Sequence, residues 1–335
     1  MNLKALPSSP VIWLYFTAAM VFTMALIGAI TRLTESGLSM AEWRPLIGAL
    51  PPLSEAEWQR VYDLYRQTPE FEKKHFWMEI EDFKKIFFWE WLHRLFGRLI
   101  GLIYTLPMLY FWAKGHLPCS LKPRFIFMLL LGGGQGLMGW YMVKSGLIDN
   151  PNVSHFRLAA HLALAFLIFG CLIWTAQDMQ NITKLTTSKF LKFATACTAL
   201  IIILTITWGA YVAGLDAGMV YNEFPMMGQG RIIPAEMWHL SPTWQNIFLN
   251  PVSIQFIHRW LGILSFLSIY GLAFIAIKDE HRCWEIYALP MIVTIQLALG
   301  ISTLLSQVWL PLATLHQAGA LCLVAVSVSF MRKIF

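Results

Sequence analysis

Residues 11–30 run for twenty positions without a charged side chain, and the chain repeats that feature at 125–143, 193–215 and, over a much longer stretch, 286–331. A helix needs about 20 apolar residues to cross the hydrocarbon core of a bilayer, because only a helix or a closed barrel satisfies its own backbone there. The last stretch is too long for one crossing, and "SQVWLP" (306–311) supplies a turn inside it. Three more segments, 89–112, 158–176 and 257–277, are largely apolar and carry one histidine each, with Glu90, Arg94 and Arg98 near it in the first and Arg259 beside it in the third. The count is eight spans. With 57% hydrophobic and 13% charged residues, the composition excludes an ordinary soluble domain. The fold expected is therefore an all-α integral membrane protein.

Lysine and arginine collect in alternate short loops: Lys114, Lys122 and Arg124, then Lys184 and Lys189, then Lys278 and Arg282, and finally Arg332 and Lys333. By the positive-inside rule those loops and both termini are expected to be cytoplasmic. The net charge of +6 then reflects topology, and it does not argue for a nucleic-acid partner. "MNLKALPSSP" is too short and too poor in arginine for an organelle transit peptide, and the first run has no small-residue cleavage site. A retained first helix in a bacterial inner membrane is expected. The five cysteines, 119, 171, 197, 283 and 322, all map to the cytoplasmic half, so no outer-loop disulfide is expected.

The two halves of the chain echo each other in order. "GAITRLTESGLSM" (from Gly28) is answered by "GAYVAGLDAGMVY" (from Gly209), "HRLFGRLIG" (from His93) by "HRWLGILS" (from His258), "GQGLMG" (from Gly134) by "IQLALG" (from Ile295), and "LAAHLAL" (from Leu158) by "LATLHQAGA" (from Leu312). Two pseudo-symmetric four-helix bundles are expected, residues 1–180 and 190–335. The first carries a long outer loop, 31–86, in which Ser54 and Glu57 have the spacing of a capping box opening an amphipathic helix. A second long loop, 216–253, holds aromatic anchors including Trp238 and Trp244.

Four of nine histidines fall inside the spans, one on each even-numbered span: His93, His161, His258 and His316. On this map each lies in the first one or two turns, near the outer surface, which gives one pair per bundle. Paired imidazoles from two helices are a recurrent way of holding a haem iron. The positions four residues on, Gly97, Ala165, Gly262 and Ala320, are all small and would leave room for a ring. Arg94, Arg98, Arg157 and Arg259 lie beside or one turn from these histidines and are candidates for propionate contacts. Pairing of Arg94 with Glu90 at i, i+4 is the competing assignment. Glu90 has no acidic counterpart, since the residue three before His258 is Gln255. Carboxylates are nearly absent from these helices, which disfavours a non-haem metal. A proton-coupled transporter, with Gln135 and Gln296 along its path, stays open on these residues alone.

"GAITRLTESGLSMAEWRPLIGALPPLSEAEW", "EWLHRLFGR", "RLAAHL", "AGLDAGMVYNEFP", "QFIHRWLG" and "LATLHQ" together resemble the haem A synthase family, in its mitochondrial and proteobacterial branch, over nearly the whole chain. The resemblance implies an eight-helix enzyme that oxidises the C8 methyl of haem O to a formyl group by successive hydroxylations, for terminal oxidases. It implies His258 and His316 as ligands of a resident haem b, His93 and His161 as the pair receiving haem O, and Glu90 as the catalytic acid. Expected partners are haem O, an electron donor, membrane lipid and, by the same resemblance, a haem O synthase and oxidase assembly factors. The outer-loop cysteine pair of some members is missing here, so thiol relays in that loop are excluded. A dihaem electron carrier and a haem or proton transporter are the alternatives.

Overall fold

The computed structural model describes residues 8–42, 47–147, 151 and 153–335. Residues 1–7, on which the reading of the N-terminal segment rests, lie outside it, as do residues 43–46 of the "AEWRP" stretch. The helices are α1 (Ser9–Leu33), α2 (Glu55–Tyr65), α3 (Ile80–Ala113), α4 (Lys122–Gly146), α5 (His155–Met179), α6 (Lys189–Gly214), α7 (Asn246–Leu249), α8 (Pro251–Lys278), α9 (Trp284–Leu305) and α10 (Leu310–Ile334). All but α2 and α7 are long and apolar enough to cross a membrane, which makes eight candidate spans and bears out the all-helical membrane class. Their outward faces show why: Leu106, Leu130, Phe274 and Met291 are exposed, an arrangement that lipid, not water, stabilises.

The breaks between helices follow from local chemistry. Ser54 caps α2 by accepting the Glu57 amide at 3.3 Å, with Glu55 and Glu57 in the first turn, as the capping-box spacing predicts. The "SQVWLP" turn separates α9 from α10, with Gln307 and Val308 at positive φ (55° and 60°). Val308 closes the end of α9 by donating its amide to the Thr303 carbonyl at 2.8 Å.

One boundary differs from expectation. The first long loop ends near 79, not 86, because α3 begins at Ile80. Glu81 and Asp82 sit at its N-terminus and Lys84 and Lys85 pair with them at 2.8 and 2.9 Å, so a charged stretch that reads as loop is stabilised as helix. At 1.5 Å per residue the 34 residues of α3 span about 51 Å, well beyond a core of about 30 Å. His93 is consequently in the fourth turn of α3, not the first or second. The second long loop likewise ends at Asn250, three residues early, where the Asn250 side chain accepts the Val252 amide at 2.9 Å and starts α8.

By chain contacts the protein divides into two compact units, Ala19–His161 in one and Met1–Ala18 with Leu162–Phe335 in the other. In the first, α2 lies on the start of α3 through Tyr65, Met78, Phe83, Ile86 and Phe87, with Trp58 edge-on to Phe87 at 5.1 Å. In the second, α6 packs on α8 and α9 on α10 around Leu191, Ile269, Leu272, Ile286, Leu289 and Phe330. The ends of α9 and α10 farthest from the histidines are tied by a buried Glu285 that accepts from Lys333 and Ser329, both at 2.8 Å. Gln177 on α5 donates to the same Ser329 at 2.9 Å.

Candidate haem-binding sites

Depth along each helix is set by the chain itself. His93 lies 20 residues before the end of α3 at Ala113, His258 20 before Lys278, His161 18 before Met179 and His316 18 before Ile334. Eighteen to twenty residues of helix measure about 30 Å, so each imidazole lies about one hydrocarbon thickness from the C-terminal end of its own helix.

Each ring also rests on a glycine of the preceding long helix. A Cβ on Gly28 (α1) would stand 3.0 Å from His93 Cε1, and one on Gly139 (α4) 3.3 Å from His161 Cε1. The corresponding distances are 2.9 Å for Gly209 (α6) with His258 and 2.9 Å for Gly300 (α9) with His316. Four rings are thus seated against bare backbone; a side chain at Gly209 or Gly300 would push the ring away, and one at Gly28 or Gly139 would crowd it. Sequence reasoning assigned the space-making role to the residues four beyond each histidine instead. Gly97 and Gly262 do face open space, with only Met24 within 4 Å of the first and nothing within 4 Å of the second. The glycine seats carried a signal, since all four stand in the stretches that mark the repeat. What period alone hides is which residue on a neighbouring helix meets the ring.

In the second unit the two rings stand 6.4 Å apart, centre to centre, at 86° to each other. Metal–imidazole bonds of about 2 Å on both sides of one iron, plus roughly 1.2 Å from nitrogen to ring centre, require a separation of about 6 Å. The pair therefore fits an iron held between them. Nδ1 of His258 lies 3.0 Å from the Thr205 carbonyl, which can only accept, so Nδ1 carries the proton and Nε2 keeps its lone pair for a metal. Gln296 donates to the His316 carbonyl at 3.0 Å. In the first unit Gln135 does the same to His161 at 3.1 Å, and its amide nitrogen also lies 3.3 Å from His161 Nε2. Among the described residues no three His, Cys, Asp or Glu side chains are placed to hold a metal ion, so the donors suit a macrocycle bringing its own four nitrogens better than a bare ion.

Glu90 and Arg94 form a buried pair at 2.5 Å on α3, and both reach the chain that follows α1. Glu90 Oε2 accepts from the Ser39 hydroxyl and the Met40 amide, each at 2.7 Å. Arg94 donates to the carbonyls of Met40 (3.2 Å) and Glu42 (3.4 Å). The second unit builds the same clamp: Arg259 donates to Gln255 (3.2 Å) and to the carbonyls of Tyr221 (2.8 Å), Glu223 (2.8 Å) and Met226 (3.1 Å), while Gln255 donates to Tyr221 at 3.0 Å. The arginines next to the histidines thus hold the long loops down over the histidine ends. Arg157 lies with its guanidinium 4.6 Å over the Tyr141 ring, one turn before His161. Arg98 is half-buried one turn beyond Arg94.

Eight candidate membrane-spanning helices with two histidine pairs, each ring seated on a glycine, define a helical membrane protein whose histidines suit haem binding. The family model of COX15-CtaA, described as cytochrome oxidase assembly protein, matches residues 11–328, and the chain belongs to that family. Similar relatives named "Heme A synthase" come from Rhodospirillum centenum (46% identical, covering 97% of this chain and 88% of the relative), Parvibaculum lavamentivorans (44%; 96% and 93%) and Nitrosospira multiformis (45%; 93% and 89%).

Proposed function

We propose that the chain is a haem A synthase, a membrane oxidoreductase that converts haem O to haem A for cytochrome oxidase by oxidising the C8 methyl to a formyl group. The likeness to relatives of that name over almost the full chain supports the activity. The observation that carries the site is the seating of all four histidines on glycines of the preceding long helices. Residues 1–180 form the substrate unit and residues 190–335 the cofactor unit. His258 and His316 hold a resident haem b, which supplies one-electron redox chemistry when bound. His93 and His161 receive haem O, whose ring lies along the open face at Gly97.

The chain's own residues bind, orient and enclose. The sites lie at the outer face of a bacterial inner membrane, where the two clamped loops cover them and limit water. Glu90 accepts three hydrogen bonds, so it fixes the loop over His93 and presents a negative charge there, rather than carrying protons away itself. Arg94, Arg98, Arg157 and Arg259 are the candidates for propionate contacts, Arg94 and Arg259 donating to loop carbonyls as well. An electron donor and a haem O synthase complete the reaction's supply.

The test is expression with a haem O synthase, followed by extraction and chromatography of the pigments. Haem A accumulates if the proposal holds. Abundant haem O with no haem A, in the presence of a working reductant, overturns it, and two non-exchanging b-type haems would then identify a dihaem electron carrier.

A further inference from the structure

We propose that Glu70, Tyr65, His75 and Glu35 form a proton relay running from the buried face of α3 to the aqueous surface of the 34–79 segment. Its members come from three separate pieces of chain: Tyr65 ends α2, Glu70 precedes and His75 closes the turn Phe71–His75, and Glu35 follows α1 at positive φ (49°). Tyr65 is wholly buried, and Glu70 and His75 are 4% and 5% exposed. The Tyr65 hydroxyl stands 3.1 Å from Glu70 Oε2 and 2.7 Å from His75 Nδ1. On the far side of the imidazole, Nε2 stands 3.4 Å from Glu35 Oε2, and Lys74 holds the other Glu35 oxygen at 3.0 Å. Glu35 is 41% exposed, so the chain of contacts ends in water.

One hydroxyl proton cannot serve two acceptors, and this makes the cluster a relay rather than a fixed brace. In one arrangement Glu70 is protonated and donates to Tyr65, Tyr65 donates to Nδ1, and Nε2–H faces Glu35. In the other, Tyr65 donates to an ionised Glu70, and an imidazolium donates from Nδ1 to Tyr65 and from Nε2 toward Glu35. Passing between them moves the Glu70 proton to the tyrosine oxygen and the tyrosine proton to Nδ1, and every heavy-atom contact is kept. Release of the Nε2 proton to Glu35 or to water completes the transfer of one proton, lost by Glu70 and gained outside. Burial raises Glu70 to about 7, so both arrangements lie within reach near neutrality. The charged groups facing the relay are Lys74 and Glu35 at its outer end and Glu90, from α3, at its inner end, where the Glu90 charge is felt by both Tyr65 and Glu70. Tyr65 is stacked on Phe83 of α3 at 5.0 Å, and Phe83, Phe87 and Glu90 share one helix face, which aims the inner end of the relay along α3 toward the His93 level.

What the relay serves rests on the reading of the chain as an enzyme that turns a methyl group into a formyl group, a change that takes hydrogen from carbon and so has protons to move. The relay itself is tested without turnover. In full-length protein with 15N-labelled histidine, the His75 ring nitrogens report which of them carries the proton. In the wild type the ring proton moves from Nε2 to Nδ1 as the cluster loses one proton and Glu70 ionises, because the Tyr65 hydroxyl then donates to Glu70 and its oxygen accepts from Nδ1. Tyr65→Phe, which keeps the ring stacked on Phe83, should abolish that changeover, and so should Glu70→Gln. Identical nitrogen titrations in the wild type and Tyr65→Phe would overturn the relay. Its purpose is read separately: Tyr65→Phe should slow haem A formation about tenfold with KM and haem b content unchanged. Wild-type rates in that variant would sever the relay from the reaction. If even the wild type makes no haem A, the enzyme assignment fails while the nitrogen pattern still decides the relay.

Discussion

Glu90 and Gln255 stand at the same place in their helices, three residues before a histidine, and the backbone each one meets dictates which side chain fits. The loop above Glu90 offers donors, the Ser39 hydroxyl and the Met40 amide, so a carboxylate satisfies it. The loop above Gln255 offers the Tyr221 carbonyl, so only an amide nitrogen will do. The acid that sequence comparison of the halves singles out as the chemical difference is therefore also a structural match to its own loop, which the sequence could not show because the partners, a serine hydroxyl and a backbone amide, lie about 50 residues away in the chain. Glu90→Ala leaves Arg94 buried without its carboxylate, a loss of about 3–5 kcal/mol for a pair of this kind. The expected outcome is faster proteolysis of the 34–42 segment and loss of haem A formation, with the absorption spectrum of the haem b held by His258 and His316 retained. Haem A made at the normal rate by this variant would remove Glu90 from the mechanism. The glycine seats give an independent residue-level prediction. Gly300→Ala puts a methyl 2.9 Å from the His316 ring and should lower haem b content, whereas Gly262→Ala meets no protein atom and should leave the apoprotein's thermal stability within about 0.5 kcal/mol. Equal haem b content in wild type and Gly300→Ala would show that the ring does not need its seat.

At the scale of elements, the spans were legible because apolar length is a one-dimensional signal, and the "SQVWLP" break and the Ser54 cap were legible because turn and cap chemistry is local. The start of α3 was not. Its first two turns are charged, and they are helical because Glu81–Lys84 and Asp82–Lys85 pair along them and because α2 packs on Phe83 and Phe87. The cluster beneath α2 was invisible for a similar reason, since Glu35, Tyr65, Glu70 and His75 carry no common spacing and meet only when the loop folds. That cluster makes the loop's stability depend on pH in two windows. The hydrogen bond from His75 and the pairing with Lys74 hold Glu35 down at about 2, so the stabilisation it gives is present above its unfolded value of 4.5 and is lost as pH falls from 4.5 toward 2. Glu70 works in the opposite sense: burial raises it to about 7, so the folded loop favours its neutral form, and stability declines as pH rises from 4.5 through 7. Amide hydrogen exchange of residues 34–42 and 47–79, corrected for the intrinsic pH dependence of exchange, should show greatest protection near pH 4.5. Protection that instead rises steadily from pH 4.5 to pH 8 would contradict the assignment of Glu70. Glu70→Gln should flatten the upper window alone.

At the scale of the whole molecule, the repeat read from sequence becomes a statement about independence. Ala19–His161 contains His93, His161 and the glycines that seat them, Gly28 and Gly139, and it contains its own loop clamp of Glu90 and Arg94. Leu162–Phe335 contains His258, His316, Gly209, Gly300 and the clamp of Gln255 and Arg259. Each stretch thus carries one histidine pair with its glycine seats and its loop clamp, α5 running from the first into the second just after His161, and the two pairs are expected to load independently. Yet the two pairs differ in their surroundings: the tautomer of His258 is fixed by the Thr205 carbonyl, which leaves Nε2 free to ligate, whereas the His161 Nε2 lies against the Gln135 amide, a contact it would have to give up to bind a metal. A prediction follows for purified protein. His258→Ala or His316→Ala should remove the stable haem b signal, and turnover with it. His93→Ala should leave that signal at wild-type intensity, abolish haem A formation, and weaken the binding of added haem O by at least about tenfold, the loss of one iron–imidazole bond. Difference absorption spectra taken while haem O is titrated into each variant separate the two behaviours. Loss of the haem b signal in His93→Ala would mean that the units do not load independently, and unaltered haem O binding in the same variant would place the substrate somewhere other than between His93 and His161.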